Sequence, residues 1–572
     1  MNKSKIYLLT SLVSGFPMAL YSQNAVNKAP NILLIMSDDM GYSDIHCFGG
    51  IIQTPHLNKL AANGIRYTQF YNTARSCPTR ASLLTGLHPH QAGIGHMVDN
   101  PQDPEGYRGE LNENCVTIAE VLKTAGYKNY CIGKWHLTGQ ARKGQPTFGY
   151  PLQRGFDEFY GLIGGAGSFF DPHTLVRGNT FITPENDPEY RPESFYLTDA
   201  IGDNTVRYIK NHNESQPFFM YVAFTAAHWP MHAYEKDVEP YYGMFDAGWD
   251  AMRKTKYDAM VKSGIIKKQW KLSFDESVSP WDIEEHKEFE KRCMEVYAGM
   301  ITNMDENIGK IIQALQETGQ LDNTLIFFLQ DNGACAELLG RENGRIQRKV
   351  PENSILAPMH PDELQTFMIP WRTRDGKPAF TGKEVMPGGP DTYTSYGKGW
   401  AYYSNTPFRE YKHWVHEGGI ATPLIVHWPE GIKKTGKMRN FPGQLMDIMA
   451  TCVDVANAQY PALRNGKTVY PMQGMSLVPS FRKEIKSNRY LIWEHESNKA
   501  IRKGKWKLVY KATNNEKDKN EPTPYHLWEL YDMEKDRTET NNIASSNPLI
   551  VKDLADAWER MAWDTKMKPY PN

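Results

Sequence analysis

The chain has 572 residues, with 65 Lys and Arg against 66 Asp and Glu and a formal net charge of −1. A chain of this length is too long to fold around one small hydrophobic core, so we predict one large domain with a smaller satellite domain. The balanced charge excludes a surface field that attracts nucleic acid or an anionic bilayer, so we expect the partner to be recognised locally, in a pocket.

The N-terminal residues have the layout of a secretory signal peptide, predicted over residues 1–22. Lys3 and Lys5 precede the apolar segment "IYLLTSLVSGFPMAL", and the small or polar residues "YSQNA" follow it. No later segment has the roughly 18 uninterrupted apolar residues that a membrane span needs. We therefore expect an exported bacterial protein, periplasmic or secreted, without a membrane span.

Apolar runs of strand length alternate with amphipathic helices along the chain. Strands are predicted at 31–39, 129–136, 217–230, 324–332 and 421–429, and helices at 56–64, 117–126 and 293–315. This alternation predicts an α/β fold with a large, mainly parallel sheet between helices. Short strands after residue 488, followed by "PLIVKDLADAWERMAWDTK", predict a small antiparallel sheet with one helix. We place the catalytic domain at 28–485 and the C-terminal subdomain at 486–572.

Polar side chains stand at the ends of the predicted strands, where sites of such sheets form. Hard oxygen donors that suit calcium or magnesium, and do not suit zinc, follow two of the strands; they are Asp38, Asp39, Asp331 and Asn332. Carboxylates gathered without a cation would repel one another and take up protons. Arg80, Lys134 and Lys412 indicate a multiply oxygenated anion, and His136 and His228 remain for proton transfer.

The stretch "SCPTRASLLTG", which begins at Ser76, resembles the sulfatase signature, in which a Cys or Ser stands two residues before a Pro and four before an Arg. Pro78 and Arg80 fix that register on Ser76, because Cys77 would need a Pro where the chain has Thr79. Further segments resemble the family in the right order: "PNILLIMSDDMGYSD", "IGKWHL", "FTAAHWPMHA", "LQDNG", "FREYKHWVHEGGIATPLIVHWP" and "LWELYDMEKDRTETNN". Over nearly its whole length the chain resembles a type I formylglycine-dependent sulfatase of the Ser type.

This resemblance implies a role for each candidate residue. A radical maturase of an anaerobe would oxidise Ser76 to formylglycine (3-oxoalanine), whose hydrate carries the nucleophile, and the four oxygen donors would hold one calcium ion that touches residue 76. Arg80 would steady the modified residue. Lys134 and Lys412 would bind sulfate oxygens, His228 would protonate the departing alcohol, and His136 would take a proton from the second hydroxyl. A Ser in place of the commoner Cys is also what an inactivating substitution would leave.

The substrate is the least constrained inference. The long Gly-rich and Pro-rich stretch between residues 340 and 411 contains Trp371 and Trp400, whose rings could pack on sugars. Asp171, His173 and His495 are further candidates for substrate contacts. We expect a sulfatase that removes O-sulfate from sugars of host or dietary glycans. Two alternatives stay open: a phosphatase or phosphonate monoester hydrolase of the same superfamily, and a non-catalytic relative that binds sulfated glycans.

Overall fold

The computed structural model describes residues 29–139, 148–213, 215–512 and 519–571. The predicted signal peptide, residues 1–22, lies outside these ranges and stays a prediction. Every helix within the described ranges is too short or too polar to cross a lipid bilayer.

The secondary structure follows the predicted alternation. The strands are β1 (Asn31–Ser37), β2 (Ile65–Tyr71), β3 (Lys128–Gly133), β4 (Glu158–Leu162), β5 (Leu175–Arg177), β6 (Thr180–Phe181), β7 (Phe218–Ala223), β8 (Thr324–Gln330), β9 (Ile346–Gln347), β10 (Phe380–Thr381), β11 (Ala421–His427), β12 (Lys437–Arg439), β13 (Gly443–Gln444), β14 (Leu463–Arg464), β15 (Lys467–Thr468), β16 (Tyr490–His495), β17 (Asn498–Lys503), β18 (Trp506–Tyr510) and β19 (Glu529–Asp532). The helices are α1 (Pro55–Ala62), α2 (Ser76–Thr85), α3 (Ile118–Thr124), α4 (Leu197–Asn211), α5 (Glu235–Val238), α6 (Gly248–Lys262), α7 (Lys287–Glu317), α8 (Gly397–Ser404), α9 (Glu417–Ile420), α10 (Met446–Val455), α11 (Val478–Arg482) and α12 (Pro548–Asp564).

The large sheet has the strand order β12-β2-β11-β8-β1-β7-β3-β4-β5-β6, with β13 paired to β2. Strand β1 lies at its centre, parallel to β7 on one side and to β8 on the other. Strand β11 runs antiparallel to both β8 and β2. The carboxyl ends of β1, β2, β3, β7 and β8 and the start of β11 therefore meet at one edge of the sheet. This mixed, mainly parallel α/β architecture confirms the predicted fold class.

Both faces of the sheet are covered because alternate residues of each strand point to opposite sides. On β1, Leu33 and Ile35 belong to the core that includes α4 and α7. Ile32, Leu34 and Met36 belong to the core on the other face, formed with α2, α3 and α10. All seven residues of β1 are buried, which explains why its sequence is a continuous apolar run.

The predicted strands end earlier in the structure than in the sequence analysis. Strand β1 stops at Ser37, β3 at Gly133, β7 at Ala223 and β8 at Gln330, so the polar residues stand just beyond the pairing. Helix α7 begins at Lys287 rather than at residue 293, with Glu288 and Glu290 in its first turn, where acidic side chains favour the helix dipole.

The C-terminal subdomain is the antiparallel sheet β16-β17-β18-β19 with α12 packed on it. A buried charge cluster joins it to the large sheet. Glu417, at the start of α9, accepts from Lys507 Nζ at 3.0 Å and from Arg537 Nε at 2.7 Å. All three side chains are fully buried. The predicted division at 485/486 falls between α11 and β16, and it stays a prediction.

Replacing Glu417 with Gln removes the carboxylate that pairs with the buried Arg537 and leaves the buried Lys507 with one carboxylate, Glu539, at 2.8 Å. We expect Glu417→Gln to lower the free energy of unfolding by about 3 to 5 kcal/mol, the usual effect of removing one partner of a buried pair. Urea unfolding followed by tryptophan fluorescence measures this change. As a control, Asp258→Asn breaks the exposed pair with Lys254 and should change the free energy by less than about 1 kcal/mol.

The contacts of Glu417 with Lys507 and Arg537 also predict how the free energy of unfolding changes in acid. Burial raises the pKa of Glu417, but the charges of Lys507 and Arg537 outweigh it and lower that pKa from 4.5 to about 2. Because the folded-state pKa is depressed, the stabilisation is complete above pH 4.5 and is lost as the pH falls toward 2. Urea unfolding repeated between pH 2 and pH 5 measures this loss. An equal loss in the wild type and in Glu417→Gln would contradict the assignment of the pH dependence to Glu417.

Candidate active site

Two pairs of oxygen-donating side chains lie side by side at the edge of the sheet. Asp38 and Asp39 follow β1, Asp331 and Asn332 follow β8, and the register places Ser37 opposite Gln330. The Asp39 amide donates to Asp331 Oδ1 at 3.2 Å, and Asn332 Nδ2 donates to Asp39 Oδ1 at 2.6 Å. All four side chains are buried. The strand pairing therefore brings residues almost 300 positions apart into one cluster.

Ser76 lies in the middle of this cluster. It is the first residue of α2, which follows β2 at the same edge of the sheet. Its Oγ lies 2.6 Å from Asp331 Oδ2, 3.3 Å from Asp38 Oδ1 and 3.3 Å from Asn332 Oδ1. Oxygen atoms of three predicted metal ligands thus surround the hydroxyl of the residue on which Pro78 and Arg80 fix the signature.

A cation contacts each of the three carboxylates. Lys134 Nζ lies 2.6 Å from Asp38 Oδ2, Lys412 Nζ lies 2.9 Å from Asp39 Oδ2, and Arg80 Nη2 lies 2.9 Å from Asp331 Oδ2. Arg80 stands one helical turn after Ser76 on α2. Its other terminal nitrogen donates to the Lys134 carbonyl at 3.0 Å and to the Tyr221 hydroxyl at 3.2 Å. The guanidinium is therefore fixed from both sides.

The electrostatics of the cluster favour a bound cation. Burial and the charge of Asp331 raise the pKa of Asp38 well above its usual value, although Lys134 and Arg80 oppose this rise. A bound divalent ion stabilises the ionised carboxylates and so offsets the free-energy cost of burying their like charges together. Carboxylate and amide oxygens are the ligands that Ca²⁺ prefers, so the donor set fits a hard cation.

His228 also approaches this cluster, with ligand atoms of Asp38, Asp39 and His228 all within 4.8 Å of one another. Its Nδ1 donates to the Trp229 carbonyl at 2.7 Å, so Nε2 faces Asp39 Oδ2 at 3.4 Å. Among the carboxylates, His228 makes its closest contact with Asp39, whereas the oxygen donors converge on Ser76. The role of His228 in proton transfer stays a prediction.

Burial lowers the pKa of both predicted catalytic histidines. Burial lowers the pKa of His228 to about 4, although Asp39 opposes this shift. Burial, with the charges of Lys134 and Arg80, lowers the pKa of His136 well below its usual value. His136 and Asp39 both have φ of 56°, in the left-handed region, and such strained residues concentrate at active sites.

The predicted substrate residues have different outcomes. Asp171 is paired with Arg374 at 2.7 Å and accepts from Gln365 at 3.2 Å. Trp371 is largely buried, with the Arg372 guanidinium over its ring, and lines a cavity of about 420 Å³ between residues 351 and 372. These two residues stay predictions.

The histidine candidates lie closer to the catalytic groups. His173 borders Gly164 and Gly167, and His136 borders the intervening Gly165. His495 ends β16 and is fully buried, with its ring beside those of His96 and His413. Both stay predictions as substrate residues.

The expectation for Trp400 is wrong. Trp400 lies in helix α8 rather than in a loop, is fully buried, and donates from Nε1 to the Glu290 carbonyl at 2.7 Å. Its ring packs against those of Phe245, Trp249 and Trp281, so no face is available to a sugar.

Sequence reasoning missed Glu337 and Arg75. Glu337 Oε1 lies 3.5 Å from Lys412 Nζ and 3.1 Å from Arg75 Nη1, and Oε2 accepts from Trp229 Nε1 at 2.7 Å. Burial raises the pKa of Glu337, but Lys412 and Arg75 outweigh it and hold that pKa well below its usual range. The position of Arg75 directly before Ser76 was the one signal available for it, whereas Glu337 lies in a loop without a pattern.

Comparison with known proteins agrees with this geometry. The Sulfatase family matches residues 30–458, and the family described as N-sulphoglucosamine sulphohydrolase, C-terminal, matches residues 409–562. The chain belongs to the sulfatase family. It is therefore a sulfuric ester hydrolase.

Its similar relatives cover most of its length. It is 31% identical to an uncharacterized sulfatase of Schizosaccharomyces pombe, over 94% of each chain. It is 32% identical to an arylsulfatase of Klebsiella aerogenes, over 83% of this chain and 96% of that one. A solved structure in complex with its substrate D-glucosamine-2-N,6-O-disulfate has a TM-score of 0.60 and 20% identity, and covers 95% of this chain and 99% of that one. The last likeness shows the shared fold.

Glu337 gives a direct test of how the cations of this sulfatase are held. We expect Glu337→Gln to lower kcat/KM for an aryl sulfate by about 10- to 100-fold, because hydrogen bonds to charged groups contribute about 1.5 to 3 kcal/mol each. Sulfate release measures the change. Glu235→Gln removes a carboxylate that pairs with Arg292 at the surface and serves as the control, with unchanged kcat/KM expected. Equal activities of the two variants would contradict a role for Glu337 at the site.

Proposed function

We propose that this sulfatase removes O-sulfate from sugars of host or dietary glycans, with a formylglycine formed from Ser76 and one calcium ion. The convergence of Asp38, Asp331 and Asn332 oxygens on Ser76 Oγ is the single observation that supports this proposal most strongly. A Ser at this position calls for an anaerobic radical maturase and for export of the chain to the periplasm or beyond the cell.

The family generally uses formylglycine and a metal ion, and the residues present fit both. Formylglycine would supply, as its hydrate, an oxygen nucleophile with a second hydroxyl. Asp38, Asp39, Asp331 and Asn332 would hold calcium, which would supply positive charge beside the sulfate group. A Ser hydroxyl alone has no second hydroxyl, so it could not release sulfate by collapse to an aldehyde.

In this proposal Lys134 and Lys412 bind the sulfate oxygens, and Arg80 steadies the modified residue 76 and adds positive charge to the site. Their side chains are buried and already fixed by carboxylates, so they need little reorganisation when charge develops in the transition state. A low-dielectric site also strengthens each of these charge interactions. The three cations therefore favour a tetrahedral anion with several oxygens over a neutral ester.

In this proposal His228 donates one proton to the substrate, and His136 accepts another from the nucleophilic residue. The proton on His228 Nδ1 is held by the Trp229 carbonyl, so Nε2 is the atom that protonates the departing alcohol. A bound sulfate ester adds negative charge, which raises the pKa of His228 from about 4 toward the value that a general acid needs. Burial lowers the pKa of His136 well below its usual value, so at pH 7 its ring has a free nitrogen lone pair that can accept a proton from the nucleophilic residue.

The alternatives fit the site less well. A phosphatase with two zinc ions needs His ligands, whereas oxygen donors surround Ser76 here. A non-catalytic glycan-binding relative would not need two histidines placed for proton transfer beside the cations. A sulfated sugar as the substrate is supported by the solved structure that holds D-glucosamine-2-N,6-O-disulfate, and it is a proposal for this chain.

Calcium binding is tested by thermal unfolding of protein first stripped with a chelator. Calcium at about 100 times its dissociation constant should stabilise the wild type by about 2.7 kcal/mol. We expect Asp331→Ala to lose this stabilisation because one ligand and its charge are gone, and the exposed control Asp258→Asn to keep it. A calcium effect of equal size in Asp331→Ala would contradict the assigned site.

The role of His228 is tested with two substrates in protein matured at residue 76. We expect His228→Ala to lower kcat for an alkyl or sugar sulfate by about 10²- to 10⁴-fold, the usual contribution of a general acid. The loss should be much smaller for an aryl sulfate with a good leaving group, which needs no proton. His427→Ala is the matched control, because burial also lowers the pKa of His427 to about 4. His427 is the last residue of β11, which runs antiparallel to β8, so it lies at the opposite edge of the sheet from the catalytic groups. Equal losses for both substrates would exclude general acid catalysis by His228.

A further inference from the structure

Three histidines and a glutamate gather beside the active site, and the proposed mechanism uses none of them. His96 lies in the loop that follows α2, and His413 is next to Lys412. His495 ends β16, and Glu496 opens the turn to β17. We call these four residues the histidine cluster. The His413 amide donates to the Ala74 carbonyl at 2.8 Å, two residues before Ser76, so the cluster borders the catalytic groups.

The side chains of the cluster point at one another. The His495 ring centroid lies 5.6 Å from that of His96 and 5.6 Å from that of His413. Glu496 Oε1 lies 3.5 Å from His96 Nε2 and 3.7 Å from His495 Nε2. One ligand atom of each of these three residues lies within 4.8 Å of the other two. The other oxygen, Oε2, lies 2.5 Å from His413 Nδ1.

His495 has no hydrogen-bond partner for its ring among the described residues. Its side chain is fully buried, and both Nδ1 and Nε2 are unsatisfied. The contact of 3.7 Å with Glu496 exceeds hydrogen-bond length. An unpaired buried polar group destabilises the folded state, and in a native protein it calls for an explanation such as an ion.

Divalent ions bind to neutral imidazole nitrogens and ionised carboxylate oxygens. The cluster supplies both kinds of ligand atom, with the Glu496 carboxylate facing the rings of His96, His413 and His495.

The backbone around Glu496 is held in an unfavourable conformation. Glu496 and Ser497 form the turn between β16 and β17 with φ of 49° and 67°, and His413 has φ of 92°. Asn and Gly dominate such two-residue turns, because other residues adopt the left-handed region at a cost. The conformation places the Glu496 carboxylate between the rings.

We propose that His96, His495 and Glu496 bind a divalent transition-metal ion of the zinc type, with His413 orienting the carboxylate. Two histidines and one carboxylate form an established zinc ligand set that leaves a fourth position for water or a substrate oxygen. An outer residue that holds a ligating carboxylate is also usual at such sites. This site is distinct from the calcium donors around Ser76, since nitrogen ligands favour zinc and oxygen ligands favour calcium.

Zinc titration into chelator-treated protein tests the proposal, with saturating calcium present to fill the oxygen-lined site. We expect the wild type to bind one equivalent of zinc in calorimetry and to retain it through gel filtration in metal analysis. His96→Ala and Glu496→Gln should weaken zinc binding by at least about 100-fold, and His413→Ala by about 10- to 100-fold, the range for an outer partner. His46→Ala changes an exposed histidine outside the cluster and should bind as the wild type does.

Two results would overturn the site. One is a wild type that retains no zinc under these conditions. The other is a His96→Ala or Glu496→Gln protein that binds zinc as tightly as the wild type. The His96 side chain is 24% exposed, so its variant tests the site even if replacement of the buried His495 prevents folding. Because zinc binding is measured without turnover, the result does not depend on maturation of Ser76 or on the proposed reaction.

Discussion

Three carboxylates buried at one edge of a β-sheet are the constraint on which the rest of the structure depends. Asp38, Asp39 and Asp331 lie out of water within a few ångströms of one another, and like charges in such a place cost a great deal unless they are compensated. The protein surrounds them with cations from three separate segments. The cations that compensate the buried carboxylates also form a binding site for a small, multiply charged anion.

The sheet topology makes this gathering possible. Strands β1 and β8 are adjacent and parallel, so Asp38 and Asp331 follow neighbouring strand ends although 292 residues separate Asp39 from Asp331. Strand β11 runs the other way, which brings Lys412 to the same edge from the segment before the strand. Glu417, a few residues later, pairs with the C-terminal subdomain, so the catalytic edge and the small sheet share one connecting segment. The histidine cluster lies where the β16–β17 turn meets that segment.

Strand-end chemistry was predictable from the sequence, because buried parallel strands read as continuous apolar runs and the polar residues that end them stand out. Asp38, Lys134 and Asp331 were found this way, and the spacing of Pro78 and Arg80 selected Ser76 over Cys77. Contacts between loops were not predictable, because no periodicity relates residues that meet only in three dimensions.

Glu337 and the histidine cluster were therefore missed as interacting groups, although His495 was singled out alone. Trp400 was misjudged for a related reason. Its surroundings in sequence are polar and rich in Gly, yet α8 turns its ring into an aromatic core with Trp249 and Trp281. Tertiary packing decided its environment, and local composition did not show it.

The modification of Ser76 is the central claim, and mass spectrometry tests it most directly. The protein would be produced together with an anaerobic radical maturase and digested with a protease. Mass spectrometry would then give the mass of the peptide that spans Ser76 to Arg80 with its upstream flank. We predict the loss of two hydrogens at Ser76, the change from a hydroxymethyl group to an aldehyde. An unmodified Ser76, in cells that convert a control sulfatase, would contradict the proposed reaction.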